Sequence, residues 1–580
     1  MSYLDISIIV IYLLVSLVLG LYFTKSASIS TSSFFLGGRN LPWWLAGTSM
    51  VATTFAADTP LLVTELVATK GISGNWLWWN GMLGGMIAVF LFAKYWRRAE
   101  IITDVELVEI RYSGKEASFL RGFKAIYLGV LMNGVIMAWV NVALGDLMRV
   151  FFDLPQENII YYLAAAMFLV VIYSALSGLT GVAVTDFVQF WLAMLGTIVL
   201  AYLVLQSDKI GGLRGLQEKL PASTLSFFPQ ISSYTQGASM GLQLFSISLA
   251  TFFSYIAIQW WASWYPGSEP GGGGYIAQRM MSVKTEADAI KATLFFQIAH
   301  YTLRPWAWIL VGLCTLVLYP NLPEADKKLG YVMAMKDFLP DGLKGLLLVS
   351  FLAAYMSTIS TQLNWGTSYV INDFYARFIE PKASQKQLVN ASRWATLMMM
   401  LVALLITTQI KTLNQAFEFM ITASAGLGGV LMLRWYWWRI NAWSEITATL
   451  APFLWLFVVS FFNLEKPYDF LLIVFLTTLS WIIATFITQP TDLKTLTAFY
   501  LRVRPEGFWK PFENEKKEKN NHLLYNILAS FSATLLGYSI LFSIGYLLFP
   551  SGYHLFIWIG IAFLGLISLR YFGKKGDIWR

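Results

Sequence analysis

The chain has 580 residues, 57% hydrophobic and 13% charged, with a formal net charge of +8 and a mean hydropathy of +0.59. A soluble protein of this length carries about twice that charged fraction, so the composition excludes a soluble enzyme and implies a polytopic membrane protein whose first partner is the lipid bilayer. The positive balance fits basic cytoplasmic loops and gives no ground for a nucleic-acid partner; the single cysteine, Cys314, leaves no intrachain disulfide and no cysteine-based metal site.

Apolar runs long enough to cross a bilayer recur about fifteen times. They lie near 4–24, 42–67, 75–98, 118–151, 157–177, 181–206, 240–264, 287–319, 341–372, 388–408, 413–435, 441–463, 468–488, 523–548 and 551–571. The opening run lacks a basic leader and a small-residue cleavage site, so it reads as a retained helix. The second run is the most informative. Trp43 and Trp44 suit an interface, but small and hydroxyl residues follow, and then Asp58 and Pro60 at about bilayer depth. Backbone freed in this way is tolerated in a membrane only where it lines a cavity, and transporters bind ions and solutes at such broken helices.

Further along, a turn over Tyr173 to Gly181 leads into Val184-Thr185-Asp186, which places Asp186 about one turn inside an apolar helix. Its plain role is to complement a helix N-terminus; its functional role is a cation ligand or relay. The run Gly271 to Gly274 lacks the rest of a phosphate loop and reads as a flexible cytoplasmic connection. His300 and Arg304 stand one turn apart within a span, and an arginine at that depth needs water or a carboxylate, so together they point to a cavity. Glu418 and Glu445 are weaker candidates of the same kind. The stretch Ala353 to Asn364 sets Ser357, Thr358 and Thr361 among backbone carbonyls. Such hydroxyls serve helix packing, and they also supply the oxygens that a hard cation requires. With His300, His522 and His554 the only histidines, little is available for acid–base catalysis, and the chain reads as no enzyme.

Counting Lys and Arg in alternating loops sets orientation. Lys25, Arg39, Lys94, Arg97, Arg98, Arg279, Lys284, Arg377, Arg434, Arg439 and the stretch Lys494 to Lys519 fall on one side, and a sparser set on the other. The richer side is cytoplasmic, so the N-terminus lies outside and the C-terminus inside the plasma (inner) membrane.

Four segments carry a resemblance to the sodium:solute symporter family. They are Ser33 to Trp44, Tyr173 to Gln189, Tyr275 to Arg279, and Ser357 to Tyr375 with its Gln362-Leu363-Asn364 and Asn372-Asp373-Phe374-Tyr375. They occur in family order across 33–435. The resemblance implies an all-α leucine-transporter fold with two inverted repeats of five helices, 42–206 and 240–435. These are preceded by an extra helix and inner loop in 1–41 and separated by an outer loop at 207–239. Peripheral helices fill 436–580, with a cytoplasmic loop at 489–522. It implies no cofactor, with Na⁺ as coupling ion between the first broken helix and the eighth core helix. Carried over by position, the ligands are the carbonyls of Ala52, Phe55 and Ala354 and the hydroxyls of Ser357 and Thr358. Asp186 matches a residue that in some relatives helps form a second sodium site or the exit route.

The substrate positions depart from the sugar-binding pattern, with Asp58-Thr59 in place of an acid followed by glutamine, Gly273 for asparagine, a site near His300 for lysine, and Ile421 near a glutamine. The expected pocket therefore comprises Asp58, Thr59, Tyr275, His300, Arg304 and Glu418, with a sugar-like or carboxylate-bearing solute as partner. Proton coupling through Asp58 or Asp186 on the same fold, a membrane-embedded transferase and a transporter-like sensor stand as alternatives.

Overall fold

The computed structural model describes residues 2–54, 56–228, 249–264, 269–410, 419–465, 467–512 and 522–579. Eleven helices among them are long and apolar enough to cross a membrane, and a bent pair makes up to twelve. In chain order these are α1 (Tyr3–Ala27), the pair α2 (Trp43–Thr53) and α3 (Asp58–Lys70), α4 (Ile72–Ala99) and α5 (Gly114–Phe152). The shorter α6 (Gln156–Ile172) leads to α7 (Gly178–Leu205). After the helical stretch α8 (249–262) come α9 (Gly274–Ser282), α10 (Glu286–Leu318), α11 (Leu343–Ile379), α12 (Gln385–Thr407) and α13 (Leu427–Tyr436). The chain continues through α14 (Ala442–Ser460), α15 (Tyr468–Ile487), the short α16 (Leu493–Val503), α17 (His522–Leu548) and α18 (His554–Lys575). The expected spans at 240–264 and 413–435 fall partly outside the described residues, and Glu418 and Phe55 lie outside them altogether.

Solvent logic is inverted, as a bilayer demands. Large apolar side chains such as Val18, Phe486, Phe556 and Phe563 point outward, while Trp79, Trp96, Trp308, Trp365 and Trp435 are fully buried. With no hydrophobic drive between helices in lipid, close packing needs small residues. A Cβ on Gly428 would sit 1.9 Å from the Trp261 carbonyl oxygen, which fixes how near α13 comes to α8. The α6–α7 turn is sharper than expected: the helical run Ile159–Leu205 is interrupted at Gly178 alone (φ 57°, ψ −166°), backbone that favours glycine.

A discontinuous helix organises the interior. α2 and α3 are bent by 57° across residues 54–57. Pro60 is tolerated because it lies in the first turn of α3, where its missing N–H has no helical partner to lose. Gly271 to Gly273 lead directly into α9, whose first residue is Gly274. The sequence reading of these glycines as a flexible cytoplasmic connection is overturned. All four are buried, and Trp96 Nε1 donates to the Gly271 carbonyl at 2.8 Å. Positive φ at Gly271 (82°), Gly272 (67°) and Gly274 (54°) is what requires glycine, not a need for mobility. The chain running into α2 is tied to the chain leaving α9 by Leu41 N–H donating to the Ser282 carbonyl at 3.1 Å.

On the face expected to be cytoplasmic, short connections are locked by ion pairs. Glu109 accepts from Arg121 Nη1 (2.6 Å), Ser118 Oγ (2.7 Å) and Arg377 Nε (3.0 Å). Burial by itself raises the Glu109 carboxyl, but these donors more than offset it and hold it at about 2. Glu445, expected as a weak cavity candidate, instead anchors a buried cluster in which it pairs with Lys124, Arg434 Nη1 (3.0 Å) and Tyr112 OH (2.7 Å).

Candidate functional site

The break between α2 and α3 leaves the last carbonyls of α2 without helical partners. Three side chains supply them. Thr54 Oγ1 donates back to the Val51 carbonyl at 2.8 Å; Arg304 Nη1, from α10, donates to the same carbonyl at 2.7 Å and to Thr54 Oγ1 at 3.1 Å. Thr358 Oγ1, from α11, donates to the Thr53 carbonyl at 3.0 Å. The broken end of α2 is thus held by hydrogen bonds from two other helices, both from residues singled out in the sequence.

Four of the five expected sodium-ligand residues are among the described ones. Ala52 (2% exposed), Ala354 (2%), Ser357 (0%) and Thr358 (4%) are buried on the facing sides of α2 and α11. A carbonyl-and-hydroxyl cluster of this type suits a hard monovalent cation, because each oxygen replaces a water of hydration without adding a formal charge (by extension from the oxygen preference of Ca²⁺ and Mg²⁺).

Asp186 lies next to this cluster, fully buried on α7. Its carboxylate accepts from Ser357 Oγ and from Ser49 Oγ, each at 2.5 Å. Arg279 Nη2 stands 3.8 Å away. Arg279 also donates through Nε to Ser49 Oγ (3.1 Å) and through Nη2 to Thr361 Oγ1 (2.7 Å), and the Thr361 and Thr53 hydroxyls are 3.0 Å apart. One polar network therefore joins α2, α7, α9 and α11 through Asp186. The loop-charge count placed Arg279 in a cytoplasmic connection; it is 0% exposed. An arginine persists at this depth because a carboxylate and several hydroxyls face it. Ser49 and Thr53 were missed as well. The available signal was the density of hydroxyls in the broken helix, together with the Gln278-Arg279 pair already noted in the third motif.

A central cavity of about 180 Å³ opens at the break. Asp58 and Thr59 line it from the start of α3, Tyr275 from α9, and His300 from α10. Trp78, Trp139, Trp260 and Tyr301 give it aromatic walls, and Asn80, Gln259, Ser263 and Gln362 add neutral polar groups. Thr53, Thr54 and Thr358 also face it, so the cavity abuts the cation-type cluster directly. Arg304 lies behind the lining; among the described residues no lysine or arginine lines the cavity and Asp58 is its one formal charge. His300 Nδ1 is 3.3 Å from Thr54 Oγ1 and 3.2 Å from Arg304 Nη1, which connects the cavity wall to the helix break.

Comparison with known proteins places this architecture. Residues 34–451 match the sequence model of the Sodium:solute symporter family. The chain is similar to the Sodium/glucose cotransporter of Vibrio parahaemolyticus, at 24% identity covering 81% of this chain and 87% of the relative. It is similar also to Sodium/glucose cotransporter 1 of Oryctolagus cuniculus, at 24% identity over 75% and 69% of the two chains. Among solved structures, a Na⁺-coupled sialic acid symporter in a substrate-bound outward-open state superposes with a TM-score of 0.65 at 18% identity. That match covers 85% of this chain and 99% of that one, and it supports the leucine-transporter fold. The chain belongs to the sodium:solute symporter family: it is a multi-pass membrane transporter, not an enzyme, and Na⁺ is its coupling ion.

Proposed function

We propose that the protein carries a small sugar-like, polyhydroxylated solute into the cell together with Na⁺ by alternating access. The observation that carries this reading is the central cavity: aromatic walls, a carboxylate without a basic partner in the lining, and amide and hydroxyl groups, set against a cluster of buried oxygens at the helix break. Aromatic faces suit the apolar face of a sugar ring, and Asp58 with the amides suits its hydroxyls. The carboxylate-bearing alternative leaned on Arg304, whose Nη1 is committed to the Val51 carbonyl and Thr54. His300 and Tyr275 would then orient the solute, and Arg304 would act through the helix break.

Na⁺ would bind between the carbonyls of Ala52, Phe55 and Ala354 and the hydroxyls of Ser357 and Thr358. The Thr358 hydroxyl now bonded to the Thr53 carbonyl would turn its lone pairs to the ion, which bridges α2 and α11 in its place. Asp186, adjacent through Ser357, would take a second Na⁺ or receive the first on its way out. Coupling requires that Na⁺ favour one conformation over the other. A membrane potential of about 150 mV contributes roughly 3.5 kcal/mol per inward charge, and a tenfold sodium gradient about 1.4 kcal/mol. Together, roughly 5 kcal/mol per ion sustains a solute gradient of several thousandfold. The lysine and arginine bias of the connections supports a plasma (inner) membrane location with the N-terminus outside and the C-terminus cytoplasmic.

The test is uptake into proteoliposomes of labelled hexoses and inositols beside labelled organic acids, with Na⁺ or choline outside. Uptake of a polyol that requires Na⁺ and is lost in Asp58→Ala supports the reading. Uptake that a proton gradient drives equally well without Na⁺ would sink it in favour of proton coupling, and uptake of organic acids alone would sink the solute assignment.

A further inference from the structure

The segment leading into α9 holds a feature with no part in the sodium site or the central cavity. Glu269 precedes Pro270 and the glycines that lead into α9 and is 6% exposed. Its Oε1 is fully buried and, among the described residues, has no hydrogen-bond partner. A Cβ placed on Gly273 would lie 1.6 Å from Glu269 Oε2 and 3.5 Å from Asp104 Oδ2, so both carboxyl groups lie beside that glycine, and both acids line one small cavity. We propose that Glu269 and Asp104 together form a proton-binding site, loaded while the cytoplasmic side of the protein is closed.

The pairing of the charges around these two acids argues for a bound proton. Asp104, on the segment between α4 and α5, is met by Tyr369 OH from α11 and by Gly274 N–H at 2.9 Å. The nearby cations are Lys124 of α5 and Arg434 of α13, and both pair with Glu445 of α14 and not with Glu269. A lone buried carboxylate costs several kcal/mol, and two carboxylates sharing one site cannot both remain ionised. One proton removes the conflict. The adjoining cavity of about 20 Å³, lined by both acids and by Lys124 and Arg434, has room for a single water.

Trp264 lines this small cavity and stacks at 6.5 Å on Trp365, whose edge meets Tyr275 of the central cavity. The acid pair therefore lies behind an aromatic wall from the solute. In this proposal the two segments that carry the acids part when the cytoplasmic side opens, and the proton then passes from the carboxyls to cytoplasmic water. It returns by the reverse step, so none is consumed per cycle. The result is a cytoplasmic pH dependence of opening, independent of which solute is carried.

The test uses the full chain in lipid nanodiscs. Infrared difference spectra at neutral pH are expected to show a protonated-carboxyl band in the wild type that is missing in Glu269→Gln and Glu269→Leu. Both variants should fold, since each mimics a neutral site; failure of both to fold would show that the ionised carboxylate is required and would overturn the proposal. Spectra that match in this region would overturn it too. By linkage, the Na⁺ midpoint in thermal unfolding is expected to change about threefold more between about pH 6 and about pH 8 in the wild type than in Glu269→Gln. Equal changes would again refute it. Absence of any Na⁺ effect would instead strike at the sodium reading, leaving the infrared result to decide the proton site.

Discussion

Thr358→Ala is the sharpest test of the ion site, because the side chain holds two separable roles. Its hydroxyl donates to the Thr53 carbonyl at 3.0 Å, and its oxygen is a proposed Na⁺ ligand. Losing the hydrogen bond costs about 1 kcal/mol of stability whether or not sodium is present. Losing one oxygen ligand acts only when sodium is present. If wild-type protein is studied at about 100 times its Kd, Na⁺ stabilises it by about 2.7 kcal/mol. A tenfold weaker site at the same concentration yields about 1.4 kcal/mol. Thermal unfolding of purified protein, titrated with NaCl replacing choline chloride at constant ionic strength, separates the effects. The hydrogen bond sets the baseline, and the ligand sets the midpoint. The expected result is a small drop in the sodium-free melting temperature together with a rightward shift of the titration by about tenfold or more. A lowered baseline with an unmoved midpoint would refute Thr358 as a ligand and reduce it to a helix-packing residue.

Asp58→Asn should weaken solute binding about tenfold or more while leaving the sodium midpoint in place, measured as uptake KM beside the thermal titration; a shift in both would mean that the two sites share the carboxylate. Arg279→Met should destabilise the protein by about 3–5 kcal/mol, since it leaves Asp186 buried with only Ser49 and Ser357, and Asp186→Asn in the same chain should recover much of that loss. Additive losses in that double-mutant cycle would disprove the pairing. Glu109 sets an acid limit. Its folded value of about 2 lies below the ordinary glutamate value of 4.5, so its contribution is fully present above about pH 5 and is lost as pH falls toward 2. Glu109→Gln should flatten the melting-temperature profile across that window, and an unchanged acid slope would remove Glu109 as its cause.

What the sequence made legible was whatever a local pattern can encode. The broken second span was visible because Asp58 and Pro60 interrupt an apolar run, and the structure bends there by 57°. Ser357, Thr358 and Asp186 stood out as polar groups within apolar spans. Arg279 and the glycines did not, for a common reason. A basic residue near the end of an apolar run is assigned to water by default, yet Arg279 is neutralised by Asp186, which lies 93 positions earlier in the numbering. A glycine run is assigned to flexibility by default, yet Gly271, Gly272 and Gly274 are fixed by positive φ in a packed interior. Arg304 was found for its depth, but its partner proved to be a backbone carbonyl freed by the helix break, and no periodicity shows where a helix will leave a carbonyl bare.

That last contact bears on coupling. The bare carbonyls of Val51 and Thr53 are served by Arg304 and Thr358, which belong to different helices, α10 and α11. The arginine bond is charge-assisted and worth about 1.5–3 kcal/mol, the threonine bond about 1. The weaker tie is the one beside the proposed sodium ligands, so an ion that replaces it changes how α2 is held by α11 while leaving α2 anchored to α10. The energy at stake in the swap is smaller than the roughly 5 kcal/mol that one Na⁺ delivers down its gradient. The helix break is therefore secured unequally on its two sides, and the proposed sodium ligands lie on the weaker one. His300, in contact with both Thr54 and Arg304, and Thr358, bonded to the Thr53 carbonyl, both line the central cavity, so the cavity meets both ties of the break.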